Sequence, residues 1–342
     1  MRHVNIPVFI PHLGCPNQCV FCNQRTISGV SKFKPEDVKK IIDEALKTVS
    51  SDDEVEIAFF GGSFTGIDRE LMVKLLEIGH SYIIDGRVKS IRCSTRPDYI
   101  DTEIIHLLKE YGVTTVELGL QSSSDKVLEL SKRGHYFEAE RKACDLIVKS
   151  GINLGGQMMI GLPGSDIDSE LETARFIISA GAREARIYPT IVFRETELCD
   201  MTLKGEYKPL ELDNAIRRSA LVLGLFVEAG VDVIRIGLQA NENLTDENSY
   251  LAGPNHPALG ELVIGELYYN KIESMLGKAC SSREDNIRVL VSGGALSKVI
   301  GQNKKNKNRL TEKFPKIRFA ESDRVSGYGI LIETKNGEYR CT

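Results

Sequence analysis

Residues 54–64, EVEIAFFGGSF, decide the architecture. Val55–Phe60 is an apolar run ending on Gly61-Gly62, and Glu70–Ile84 follows with helical period. A short apolar run bounded by glycine reads as a strand, and the amphipathic stretch after it as the return helix. The unit repeats outward in both directions. Upstream, Asn5–Pro11 reads as a strand and Lys34–Val49 as a helix, with Val38, Ile41, Ile42, Ala45 and Leu46 on one stripe. Downstream, Val88–Cys93, Thr115–Leu120, Leu154–Ile160, Glu184–Tyr188 and Val231–Ile236 read as strands. The helices between them are Thr102–Tyr111, Phe137–Ser150, Ser169–Ser179 and Glu211–Glu228. Six or seven β-α units in series imply a parallel sheet, wrapped by right-handed crossovers into a barrel or partial barrel. In such barrels the chemistry lies at the carboxyl ends of the strands.

Past residue 240 the rhythm breaks. The segment Asn241–Pro257 is polar and rich in turn formers, and its end, Ala252–Pro257, reads as a lid over the barrel mouth or a linker. Ala258–Leu276 reads as a helix, and Asn286–Thr342 as strand, helix, strand, strand. The expected organisation is an α/β core barrel over 1–240, a connecting loop and helix over 241–285, and a small basic α+β module over 286–342.

The 342 residues are 42% hydrophobic and 27% charged, with a formal net charge of -4. That balance excludes disorder along the whole chain and gives no reason to expect a nucleic-acid coat protein. No apolar run approaches the roughly 18 residues of a membrane span. The start, MRHVNIPVFIPHLG, lacks the charged head and long apolar run of a secretory signal, so a cytoplasmic location without membrane contact is expected. Of eight cysteines, Cys15, Cys19 and Cys22 fall within eight residues, while Cys93, Cys144, Cys199, Cys280 and Cys341 are scattered. A disulfide framework does not look like this, and a single metal site does.

The cysteine segment is GCPNQCVFCN, residues 14–23, with C-x3-C-x2-C spacing just after the first expected strand. Three thiolates this close can bind one metal centre. They leave one position of a four-iron cluster open to a substrate or cofactor. The competing reading is structural zinc, which prefers four protein ligands; His12 is the nearest fourth candidate.

Further stretches stand in order along the chain: Gly61-Gly62-Ser63-Phe64, TRPDY (95–99), VELGLQS (116–122), KRGH (132–135), MIGLPGSD (159–166) and RIYPT (186–190), then Thr196, Leu198, Gly205 and Tyr207. With the cysteine spacing, they make residues 5–238 resemble the radical S-adenosylmethionine (radical SAM) superfamily, specifically the catalytic subunit of Elongator and its relatives. The resemblance implies a partial (β/α)6-type radical SAM barrel. It also implies a 4Fe–4S cluster on Cys15, Cys19 and Cys22, S-adenosylmethionine on the open iron, and reductive formation of a 5′-deoxyadenosyl radical that abstracts hydrogen from a substrate. Such chemistry belongs to the cofactors, while the protein orients them.

The resemblance also implies residue roles, each beside a plainer alternative. Gly61, Gly62 and Ser63 would accept the cofactor's amino group through backbone carbonyls, although the family often has Glu where Ser63 stands; a simple strand-to-helix turn is the alternative. Ser94 would meet its ribose or carboxylate. Arg96 would pair with an anion, or close a turn network with Asp98. Glu117 and Gln121, inward on a strand, would be satisfied by a polar cofactor. Arg133 and His135 would bind an anion, or stand solvated in a loop. Gly161, in Gly161-Leu162-Pro163-Gly164, would turn at the adenine edge, or simply turn the chain. Tyr188 would line the substrate cavity or donate a hydrogen atom, or pack as an ordinary aromatic.

Elongator-type catalytic subunits carry an acetyltransferase domain; none is expected within these 342 residues, so the acetyl-dependent reaction is not carried over. The last segment has its own feature. Lys298, Lys304, Lys305, Lys307, Arg309, Lys313, Lys316 and Arg318 fall within 21 residues that contain one acid, Glu312. Lys304, Lys305, Lys307 and Arg309, at an expected helix start, are candidates for phosphate contact with RNA or tRNA, against a solvated basic face. Three functions remain open: a radical SAM enzyme on RNA, one on a small molecule as in coproporphyrinogen oxidase relatives, and a non-catalytic iron–sulfur or zinc RNA-binding module. The enzyme readings imply a flavodoxin or ferredoxin as electron donor.

Overall fold

The computed structural model describes residues 2–10, 13–16, 19–23, 26–27, 33–238, 248–279 and 286–341. The expected boundaries at 240 and 285, together with Pro11, His12, residues 241–247, Cys280 and Thr342, lie outside the described residues.

Seven parallel strands form one curled half-barrel sheet, ordered as in the sequence: β1 (His3–Ile10), β2 (Glu54–Gly61), β3 (Ser90–Thr95), β4 (Val113–Gln121), β5 (Asn153–Ile160), β6 (Glu184–Pro189) and β8 (Asp232–Ile236). Helices α1 (Val38–Leu46), α2 (Arg69–Ile84), α3 (Thr102–Glu110), α5 (Phe137–Ser150), α6 (Ile167–Ser179) and α8 (Leu212–Glu228) make the returns. Sequential parallel pairing needs each return to cross on the same side, which sends the helices to the outer face and frees the inner one. Local chemistry sets the helix starts. Asp68 accepts from the Leu71 N–H, Asp101 from Ile104, and Asp166 closes a capping box with Ser169. The expected α1 stripe is corrected at one position: Val38 and Ile42 are buried, whereas Ile41 is 41% exposed.

Elements too short for a periodicity signal were missed: α4 (Asp125–Leu130), α7 (Glu197–Leu203), and a ribbon of β7 (Val192–Phe193) with β9 (Tyr250–Ala252). That ribbon ties the start of the suspected lid or linker to the chain leaving β6. Gly253 continues the contact, since a Cβ there would meet the Thr190 carbonyl oxygen at 2.7 Å.

Helix α9 (Leu259–Ala279) joins two cores. Its Leu259, Val263 and Leu267 enter the barrel core, and its Tyr268, Tyr269, Ile272 and Leu276 enter a second one. The second core is covered by a four-stranded sheet in the order β11 (Ile317–Glu321), β10 (Ile287–Val291), β12 (Ile330–Thr334), β13 (Gly337–Cys341). The expected strand, helix, strand, strand is therefore corrected to four strands and two helices, α10 (Leu296–Ile300) and α11 (Lys305–Lys313). The helices separate because Asn303 and Lys304 take left-handed backbone, at φ 51° and 61°. The basic segment also finds partners within the chain: Lys305 pairs with Asp213 at 3.1 Å, and Arg309 with Glu266 at 2.8 Å while stacking 3.4 Å above Tyr269. Lys304 and Lys307 are exposed. Among the described residues no helix is long and apolar enough to cross a membrane.

Candidate active site

A cavity of about 540 Å3 fills the concave face of the half-barrel. Period-two alternation builds its wall: Asn5, Pro7 and Phe9 on β1, Gln157 and Met159 on β5, Arg186 and Tyr188 on β6. Phe60, Gly61, Ser94 and Gln121 come from the ends of β2, β3 and β4, Cys22 from the cysteine loop, and Phe193 and Leu238 from beyond β6 and β8.

Below the cavity runs a buried ion network. Glu117, 1% exposed, accepts from Arg92 at 3.0 Å, from Arg186 at 2.9 Å and from Gln157 at 2.9 Å. Arg92 also reaches Glu56 and Glu184. Burial pushes the Glu117 carboxyl up, but Arg186 and Arg92 outweigh it and hold the group below the usual carboxylate value. The acceptor capacity that the sequence reading gave to a polar cofactor is taken up by these arginines. Gln157 also donates to Ser94 Oγ at 3.2 Å, linking the network to the cavity.

The glycines Gly61 and Gly62 serve the cysteine loop. Gly61 lines the cavity at φ 114°, and a Cβ on it would meet the Ile10 carbonyl oxygen at 2.9 Å. A Cβ on Gly62 would come within 2.2 Å of the Leu13 carbonyl oxygen, and one on Gly14 within 2.2 Å of the Ser63 carbonyl oxygen. Backbone therefore packs on backbone just ahead of Cys15. The Ser63 hydroxyl is fully buried, bonded to Thr95 Oγ1 at 2.8 Å and accepting from the Arg96 N–H at 3.2 Å. Its side chain holds β2 to β3.

Behind the loop stands a second polar cluster. Arg96 grips Asp98 with two bonds of 2.9 and 2.8 Å, realising the turn network, and its Nη2 meets His135 Nδ1 at 3.1 Å. His135 Nδ1 also lies 3.4 Å from Asp98 Oδ1, and its Nε2 lies 3.1 Å from Glu140 Oε1, so the imidazole bridges the two carboxylates. Arg96 keeps one buried nitrogen, Nη1, without a partner. Arg133 is buried rather than solvated: its Nη1 donates to Cys19 Sγ at 3.2 Å and its Nη2 to the Gly119 carbonyl. Cys19 is buried, and Cys15 and Cys22 are half-buried.

The remaining predicted residues fall at two depths. Gln121 sits at a left-handed φ of 71° on the cavity wall, with its buried Oε1 unpartnered. Tyr188 is half-buried on the wall, and burial pushes its hydroxyl pKa up. Gly161 does not line the cavity. It is clamped from outside, its N–H donating to Glu170 Oε1 at 2.7 Å and its carbonyl accepting from Tyr207 at 2.6 Å. Sequence reasoning placed Asp98 only in the turn network with Arg96 and assigned no role to Glu140, Gln157 or Arg186. For Gln157 and Arg186 the signal was available, because they share strand parity with Met159 and Tyr188.

This donor set suits an iron–sulfur cluster and a polar, zwitterionic ligand. A guanidinium faces a cysteine sulfur, a buried amide oxygen and a buried guanidinium nitrogen await partners, and glycine leaves the strand end open. Among the described residues no three His, Cys, Asp or Glu side chains converge on a single-ion site, whereas a multi-iron cluster takes its thiolates at separate corners. Cys93 and Cys144 are buried in the barrel core, where desolvation pushes their thiols up, Cys144 to about 12.

Comparison with known proteins matches two family models, the Radical SAM superfamily over residues 9–177 and the Radical_SAM C-terminal domain over residues 183–269. A tRNA uridine(34) acetyltransferase of Methanocaldococcus jannaschii is 29% identical over 200 residues, covering 52% of this chain and 37% of that protein. Elongator complex protein 3 of Homo sapiens is 28% identical over 203 residues, covering 53% of this chain and 37% of that protein. The match thus spans little more than a third of these relatives. The fold is shared with the archaeal Methanocaldococcus infernus Elp3, at a TM-score of 0.61 and 24% identity over 80% of this chain and 63% of that one. The chain belongs to the radical SAM superfamily, whose cofactors are a 4Fe–4S cluster and S-adenosylmethionine, and over that part it is similar to Elongator-type proteins.

Proposed function

We propose that this chain reductively cleaves S-adenosylmethionine and uses it to remove hydrogen from a substrate held in the half-barrel, with RNA, and tRNA first, as the substrate class. Cys15, Cys19 and Cys22 hold the cluster. Bound together, the cofactors supply reductive cleavage of a carbon–sulfur bond and hydrogen abstraction. The protein's residues bind and orient. Arg133 steadies the Cys19 sulfur, and Gly61, Ser94 and Gln121 offer backbone and side-chain partners to the ligand. Arg96 keeps a free donor beside the loop, and the Arg92–Glu117–Arg186 network holds the wall in register. Tyr188 faces the substrate space, which Phe9, Phe60 and Phe193 line with apolar surface. A flavodoxin or ferredoxin supplies the electron.

The observation that carries the reading is the convergence of Cys22 of the cysteine loop, Gly61 at the end of β2 and Gln121, with its unpartnered oxygen, on one cavity. RNA is favoured by the similarity to tRNA uridine(34) acetyltransferase and by exposed Lys304 and Lys307. The test is anaerobic. Protein reconstituted with iron and sulfide, then given dithionite and S-adenosylmethionine, should release 5′-deoxyadenosine, and the triple variant Cys15→Ala, Cys19→Ala, Cys22→Ala should not. No product from an intact cluster would leave a non-catalytic iron–sulfur module.

A further inference from the structure

We propose that Arg133 is a positioning residue that sets the reduction potential of the cluster through Cys19. The inference rests on the cluster reading above and adds a function for a residue that neither chelates iron nor lines the cavity.

Three observations carry it. First, Arg133 is 5% exposed, and its Nη1 donates to Cys19 Sγ at 3.2 Å across 114 residues of sequence. Second, the guanidinium is braced: its Nη2 donates to the Gly119 carbonyl, and the Arg133 carbonyl accepts from Arg96 Nη2, which Asp98 and His135 hold in turn. Third, the cysteine loop is anchored to the same segment, with the Val20 N–H donating to the Ser131 carbonyl at 3.2 Å. The charge and the sulfur it faces therefore cannot drift apart. A side chain that merely filled space would need neither the fork nor the brace.

The physical consequence has a sign. Reduction adds one negative charge to a cluster that its thiolates already make electron-rich. A buried guanidinium donating to one ligating sulfur stabilises that added charge, and burial leaves it little screened by water. Arg133 therefore raises the potential, bringing the cluster within reach of a biological donor.

The experiment is a redox titration of the reconstituted chain, without S-adenosylmethionine, followed by the spectrum of the reduced cluster. Arg133→Gln removes the charge. Arg133→Lys keeps the charge and loses the fork. Lys132→Gln removes a charge from the neighbouring exposed position, where Lys132 pairs with Glu197. The reduced-to-oxidised ratio at a fixed poise is expected to fall about tenfold or more in Arg133→Gln, which for one electron is about 59 mV to lower potential. Arg133→Lys should fall between, and Lys132→Gln should match the unmodified chain. If Arg133→Gln takes up no cluster, Arg133→Lys carries the test.

Equal potentials in all three variants would overturn the proposal. So would loss of the cluster from both Arg133 variants with the fold intact, because Arg133 would then serve assembly instead of potential. An unmodified chain that takes up no cluster would fail the cluster reading itself, whatever the variants do.

Discussion

Gly62 lies so close to Leu13 that a Cβ on it would come within 2.2 Å of the Leu13 carbonyl oxygen. The end of β2 and the approach to Cys15 are thus packed backbone to backbone, and neither can yield as a flexible side chain could. Gly62→Ala should displace the cysteine loop and lose most of the bound iron, with about 1–3 kcal/mol of stability. Gly277→Ala is the control. It meets nothing within 4 Å in the exposed part of α9, and helix propensity should make it neutral or stabilising by up to about 1 kcal/mol. Iron content and thermal unfolding read both; full iron in Gly62→Ala would contradict the packing argument.

Glu140 offers a pH signature. Burial pushes its carboxyl up from 4.5 to about 7, against the opposing pull of His135. Between pH about 4.5 and 7 the unfolded chain has released this proton and the native chain retains it, so stability falls as pH rises through the window. The fall is on the order of 3 kcal/mol. Glu140→Gln should behave like the unmodified chain near pH 4.5 and be the more stable of the two at pH 8. Denaturant unfolding at those two values decides it, and parallel pH curves would refute it.

Glu117 is bound by two arginines at 1% exposure. Glu117→Ala leaves Arg92 and Arg186 facing each other without their shared carboxylate. It should cost about 3–5 kcal/mol. Glu117→Gln keeps the acceptor oxygen and should cost less. A loss below about 1 kcal/mol for Glu117→Ala in urea unfolding would mean that the network matters little to the barrel.

The basic segment should divide by function. Lys304 and Lys307 are exposed, so Lys304→Ala with Lys307→Ala should weaken RNA binding and lower its salt slope by about one per lysine. Arg309 is committed to Glu266 and Tyr269, so Arg309→Ala should lower the melting temperature more than it lowers affinity. Binding across a salt series, with melting curves, separates the two. Unchanged affinity in the double lysine variant would remove RNA contact from this segment.

Tyr207 and Glu170 hold Gly161 from outside the cavity. Tyr207→Phe should weaken S-adenosylmethionine binding several-fold while leaving iron content unchanged, as equilibrium dialysis can measure. Unchanged affinity would detach the Gly161 turn from the ligand.

The sequence by itself determined the strand and helix series, because hydrophobic period is a local property and parallel crossovers allow few arrangements. It also determined the cysteine spacing and the glycine turn at the end of β2. It left open what those groups face. Arg133 meets Cys19 across 114 residues and Arg92 meets Glu184 across 92, and no local pattern names such partners. The tertiary structure decided that Glu117 is neutralised by arginines, that the β2 glycines admit the cysteine loop, and that Lys305 and Arg309 already have acids. The physical reason is common to all three. A buried charge or a crowded backbone must be satisfied by whatever the fold brings within a few ångströms, and that neighbour is set by how the strands curl together.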